Sequence, residues 1–80
     1  MFDRKFFGLR LIALREERNI PQKVIADELN VTRTQISDME NGKVGTTLDR
    51  LVKICEYYHV SADYLLGITD DPTWRGSEEE

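Results

Sequence analysis

Cysteine and histidine are almost missing from this sequence, with one of each, Cys55 and His59, in 80 residues. A lone cysteine excludes an internal disulfide and any cysteine-rich zinc site. One histidine beside it leaves little from which to build a four-ligand metal cluster, so no metal or other cofactor is expected. Long apolar runs are missing too. The longest, Leu11-Ile12-Ala13-Leu14, falls far short of the roughly 20 residues that a bilayer span needs. The opening residues, Met1-Phe2-Asp3-Arg4-Lys5-Phe6-Phe7, include an acid and lead into no signal-peptide apolar core. A soluble, cytoplasmic protein without a membrane partner is the expectation. With 40% apolar residues, the chain is long enough for one small core. A domain this size buries only about 60% of its unfolded surface, so it must pack economically.

An excess of positive charge is also absent: the net charge is −4. Its distribution matters more than its sum. Residues 1–69 hold ten Lys/Arg and ten Asp/Glu, whereas residues 70–80 hold Asp70, Asp71, Glu78, Glu79 and Glu80 against Arg75 alone. The body is therefore neutral, and the acidity belongs to the C-terminal end. We expect one folded domain over residues 1–68 and an acidic, flexible tail over 69–80. A neutral body leaves nucleic-acid binding open without pointing to it.

No segment alternates apolar and polar residues for long, which predicts an all-α fold. The first helix is expected from about Arg4 to Asn19, with Asp3 as N-cap and Phe7, Leu11 and Leu14 as its inward stripe. Phe2, Phe6, Leu9 and Ala13 form a second stripe, covered either by the tail or last helix or by another subunit. Ile20-Pro21 breaks this helix, and Pro21 opens a second over Gln22 to Leu29. After the turn Asn30-Val31-Thr32, Thr32 and Gln35 form a capping box for a third helix that ends at Asn41-Gly42. Thr46 or Thr47 caps a fourth, with Leu48, Leu51, Val52 and Cys55 inward. Ser61 caps a short fifth helix, Ala62 to Leu66, stopped by Gly67.

Helix, three-residue turn, helix is the informative pattern. Ala26 is small where two helices cross, and Asn30 stands where the turn needs a positive φ. Ile25, Leu29, Val31, Ile36 and Met39 supply the apolar contacts between the pair. This spacing suits a helix-turn-helix whose second helix enters the major groove. The stretch Gln-Lys-Val-Ile-Ala-Asp-Glu-Leu-Asn-Val-Thr-Arg-Thr-Gln-Ile-Ser-Asp-Met-Glu-Asn-Gly-Lys (22–43) resembles the DNA-binding motif of the Cro/phage-repressor-like helix-turn-helix family. This is also known as the xenobiotic-response-element family of bacterial and phage regulators. The resemblance continues through Thr-Leu-Asp-Arg-Leu-Val-Lys-Ile-Cys (47–55) and Val-Ser-Ala-Asp-Tyr-Leu-Leu-Gly (60–67). It covers about residues 6–67 and implies a five-helix, lambda-repressor-like domain that binds operator DNA, usually as a homodimer.

The resemblance implies base readout by Arg33, Thr34, Ser37 and Asp38, with Arg33 suited to guanine and Asp38 to a cytosine amino group or to pairing with Arg33. It implies phosphate contacts from Gln22, Lys23, Thr32, Gln35, Asn41 and Lys43. For several of these a structural role competes: helix capping for Gln22, Gln35 and Asn41, and plain solvation for Lys43. Arg15 and Glu40 match a partly buried ion pair that orients the third helix. Candidates for a dimer face are Tyr64, Leu65, Leu66, Trp74 and Phe6. Pro21, Thr46 and His59 depart from the family's usual cap, proline and glycine. Cys55 reads as core and His59 as a helix end. A small dimeric repressor on an inverted-repeat operator is the leading expectation. The alternative is an interaction module of the same fold, an antitoxin or anti-repressor, with a protein partner on the acidic tail. No nucleophile–base spacing or glycine-rich phosphate loop suggests an enzyme.

Overall fold

A computed structural model describes residues 1–74, which form five helices and, among the described residues, no strand. They are α1 (Arg4–Glu17), α2 (Gln22–Leu29), α3 (Arg33–Glu40), α4 (Leu48–Tyr58) and α5 (Ala62–Leu66). Side-chain caps set most of the starts. Asp3 accepts from the amides of Lys5 and Phe6, Thr47 from that of Arg50, and Ser61 from that of Tyr64. Thr47 is thus the cap of α4, whereas the Thr46 hydroxyl is buried without a hydrogen-bond partner among the described residues. α1 stops two residues before Asn19. The left-handed Asn19 (φ 56°) turns the chain, so that the Ile20 amide reaches back to the Arg15 carbonyl.

The core is a single cluster, and Phe7, Ile54 and Leu65 lie deepest. Leu65, a sequence candidate for the dimer face, has a wholly buried side chain and belongs to this core instead. The inward stripe of α4 also differs from expectation, being Leu51, Ile54, Cys55 and Tyr58. Leu48 and Val52 are exposed, because two overlapping stripes share Leu51 and Cys55 and the larger Ile54–Tyr58 side fills the space against α2 and α5.

Residues 69–74, expected as an extended tail, lie back on the body. Arg10 donates to the Thr69 carbonyl at 2.7 Å and to Asp70 at 2.6 Å, while its guanidinium covers the rings of Phe6 and Tyr64. The Ser61 amide donates to the Pro72 carbonyl at 3.1 Å, and the Trp74 ring lies 5.1 Å from that of His59. One arginine, on the second apolar stripe of α1, collects acceptors about 60 residues away. The Ser77–Glu80 end, with its three glutamates, lies outside the described residues.

Burial gives the domain an alkaline limit. It pushes the Cys55 thiol up from 9.0 to about 11, with the Glu56 charge adding to the effect. The Tyr58 hydroxyl rises from 10.0 to about 12, again chiefly through burial and then through Glu40. The unfolded chain loses these protons first, so their stabilising contribution is complete below pH 9 and lost as pH rises through 11 to 12. The urea midpoint should therefore hold steady from pH 7 to 9 and fall steeply above. Across the steady range, Cys55 should react with iodoacetamide only as fast as the domain opens.

Candidate nucleic-acid interface

Asn30 makes the sharp connection between α2 and α3 possible. It sits in the left-handed region (φ 60°, ψ 45°), and the Val31 amide then closes on the Ala26 carbonyl at 2.9 Å. Asparagine tolerates this conformation better than any residue but glycine. Ala26 is buried at the crossing, where a longer side chain would force the helices apart. At the start of α3 the capping box is complete. Thr32 accepts from the Gln35 amide at 3.1 Å, and the Gln35 side chain accepts from the Thr32 amide at 2.9 Å. The Gln35 side-chain oxygen is therefore occupied at the cap, and its amide nitrogen is left over.

With Ile36, Met39 and Glu40 buried, α3 turns Arg33, Thr34, Ser37 and Asp38 outward. Arg33 and Thr34 are exposed; Ser37 and Asp38 are half-buried. Neither Arg33 nor Asp38 forms an ion pair, with each other or with any other of the described residues. The structure thus brings the four together on one face, with two opposite charges unspent.

The surrounding groups are less free. Lys23 pairs with Asp27 at 3.1 Å, one turn along α2. Pro21 gives α2 no side-chain cap, and Gln22 does not cap it either, donating to Glu40 at 3.0 Å instead. Asn41 donates to the Ser37 hydroxyl at 3.3 Å and keeps a negative φ, so the left-handed residue at this helix end is Gly42 (φ 74°). Lys43 is exposed, anchored by its amide on the Asp38 carbonyl at 2.9 Å.

Behind this face Arg15 and Glu40 form a two-pronged pair, Nε to Oε2 at 2.7 Å and Nη2 to Oε1 at 3.1 Å. The side chains are only 14% and 5% exposed. The hydrogen bonds to Glu40 hold the Arg15 guanidinium above its ordinary value, against the opposing effect of burial. Since Arg15 also donates to the Ile20 carbonyl and Gln22 to the same carboxylate, one node joins α1, α2 and α3.

Two cations near this face escape a reading by periodicity. Arg4 donates to the Lys43 carbonyl at 3.3 Å, and the Lys5 stem lies against Gly42. Their one sequence signal is two basic residues in the first turn of a helix, where the dipole disfavours them. Of the dimer-face candidates, Tyr64 is half-buried beneath Arg10, Leu66 and Trp74 are half-buried, and Phe6 is partly exposed. No cluster of His, Cys, Asp and Glu among the described residues has the form of a metal site. Nor is any helix among them long and apolar enough to cross a membrane.

Comparison with known proteins agrees with this geometry. The helix-turn-helix family profile matches residues 11–65. The HTH-type transcriptional regulator ImmR of Bacillus subtilis is 37% identical over 60 residues, covering 75% of this chain and 47% of that protein. YobD, an uncharacterized HTH-type transcriptional regulator of the same organism, is 33% identical over 63 residues, covering 79% of this chain and 56% of YobD. The chain thus spans about half the length of these relatives. Among solved structures, the P22 c2 repressor in complex with a synthetic operator superposes with a TM-score of 0.73 at 26% identity, over 76% of this chain and 92% of that one. A transcriptional regulator from Listeria innocua gives 0.75 at 26% identity, over 88% of this chain and 64% of that one. With the motif, the five-helix order and the profile in agreement, the chain belongs to the Cro/phage-repressor-like helix-turn-helix family, whose members are DNA-binding transcriptional regulators and not enzymes.

Proposed function

We propose that this chain is a sequence-specific repressor that binds an inverted-repeat operator as a homodimer, inserting α3 into the major groove. One observation carries the reading: the left-handed Asn30 turn holds α3 so that Arg33, Thr34, Ser37 and Asp38 face outward while Ile36 and Met39 anchor it. Arg33 then reads guanine through its guanidinium fork. Asp38, with no ion pair to satisfy it, accepts from a cytosine amino group and repels phosphate where that group is missing. Gln22, the uncapped start of α2, Asn41 and Lys43 hold the backbone. Thr32 is spent on the cap and contributes through the position of α3, whereas the Gln35 amide nitrogen, which the cap does not use, donates to phosphate. The partly exposed Phe2, Phe6, Leu66 and Ile68, grouped at the α1–α5 end, form the face for the second subunit. The repressor of P22 offers a precedent for this fold on an operator.

Selection from a random duplex library at two salt concentrations tests the reading. The expected result is enrichment of an inverted repeat with half-sites about one helical turn apart, bound less tightly as salt rises. Sedimentation at the same concentrations should show a dimer. Failure to enrich any repeat would overturn the reading. Arg33→Ala should then relax a single base position, losing about 1–3 kcal/mol of discrimination there. Quantitative binding to operators changed one base pair at a time would show it.

A further inference from the structure

The cations at the start of α1 stand where helix electrostatics opposes them. Arg4 and Lys5 occupy the first turn of α1, beside amides that carry the positive end of the dipole, and no acid lies within that turn. Asp3, the one carboxylate next to them in sequence, is turned onto the amides of Lys5 and Phe6 as the helix cap. Neither Arg4 nor Lys5 forms an ion pair among the described residues. The fold nevertheless fixes both against the loop that follows α3. One donor of Arg4 holds the Lys43 carbonyl, leaving the rest of its fork available. The Lys5 stem packs on Gly42, whose positive φ and missing Cβ bring the two segments together; an added Cβ there would lie 2.8 Å from Lys5 Cγ. The result is three exposed cations, Arg4, Lys5 and Lys43, from segments 39 residues apart in the chain. They lie at the C-terminal end of α3, the helix assigned to the groove.

We propose that Arg4 and Lys5 join Lys43 in a DNA-backbone anchor that takes phosphates beside the C-terminal end of α3, on the side of the proposed dimer face. The proposal rests on the operator-binding reading. It supplies positive charge that α2 lacks, since Lys23 is engaged by Asp27. Because the anchor grips phosphate, it adds affinity without changing which bases are chosen.

The test uses the full chain and the duplex it enriches from the random library. Arg4→Gln/Lys5→Gln keeps much of both stems and removes both charges; Lys53→Gln, at an exposed position of α4, is the control. The slope of log affinity against log salt should flatten by about 0.9 for each phosphate no longer neutralised, or about 2 for a dimer in which each subunit releases one. The double variant should enrich the same repeat, and its thermal midpoint should be unchanged or higher, since two cations have left a helix N-terminus. Ethylation interference should lose the same discrete phosphate positions from both half-sites in the double variant alone. An unchanged slope and footprint would overturn the anchor, as would an equal loss of slope per charge with Lys53→Gln, which would reveal only a diffuse field. If the wild-type chain enriches no duplex, the operator reading itself falls and takes the anchor with it.

Discussion

Gly8→Ala should cost the domain about 2–3 kcal/mol, although glycine-to-alanine in the middle of a helix ordinarily gains about 0.5–1 kcal/mol. The reason is a backbone crossing. A Cβ at Gly8 would stand 2.4 Å from the Glu40 carbonyl oxygen and 2.7 Å from that of Met39. Both belong to the last turn of α3 and cannot rotate out of the way as a side chain would. The methyl group must therefore push α1 and α3 apart. A loss of this size would lower the thermal midpoint by about 10 °C or more in a domain this small. Gly45→Ala is the control, because its added Cβ would meet only the edge of the Phe2 ring at 3.4 Å. Since Gly8 supports the helix proposed to enter the groove, Gly8→Ala should also weaken operator binding at temperatures where it is fully folded. Urea titration and duplex binding at 10 °C would separate the two effects. A variant as stable as the parent would mean that α1 and α3 have room to shift.

Gly8 shows where a reading of the sequence runs out. Local signals are legible because each is written in a few adjacent residues. Asp3, Thr32 with Gln35, and Ser61 start helices where expected, and Asn30 turns between α2 and α3. The outward face of α3 follows from its inward residues by periodicity alone. Features that depend on what lies across a helix are not legible. A glycine inside α1 looks merely unfavourable until the carbonyls of Met39 and Glu40 are seen against it. Nothing in the local sequence marks Arg10 as the residue on which Thr69 and Asp70 fold back. In α4, Val52 and Ile54 are equally apolar, and the neighbouring helices decide which is buried. The cations at the start of α1 become interpretable only once Gly42 and Lys43 are found beside them.

The other large effect lies in the ion pair between α1 and α3. Arg15→Met should destabilise by about 3–5 kcal/mol, because it leaves the Glu40 carboxylate, 5% exposed, with only Gln22 as a side-chain donor. Against the roughly 5–15 kcal/mol that holds a domain together, that is a large share. Glu40→Leu should cost a similar amount, stranding the guanidinium instead. Arg15→Met/Glu40→Leu should recover most of the loss, since apolar groups of similar volume replace such pairs at little cost or with a gain. Urea titration of all four proteins closes the cycle, and simple addition of the two single losses would show that the charges do not depend on each other. Stability and binding should then part company. The double variant has lost the carboxylate that can only accept, and so the bond that fixes which atom of the Gln22 amide faces inward. If that bond presents the remaining Gln22 donor to phosphate, a domain restored in stability will still bind its operator more weakly. Such an outcome would place the value of the pair in aligning α2 with α3, where an apolar substitute would serve stability equally well.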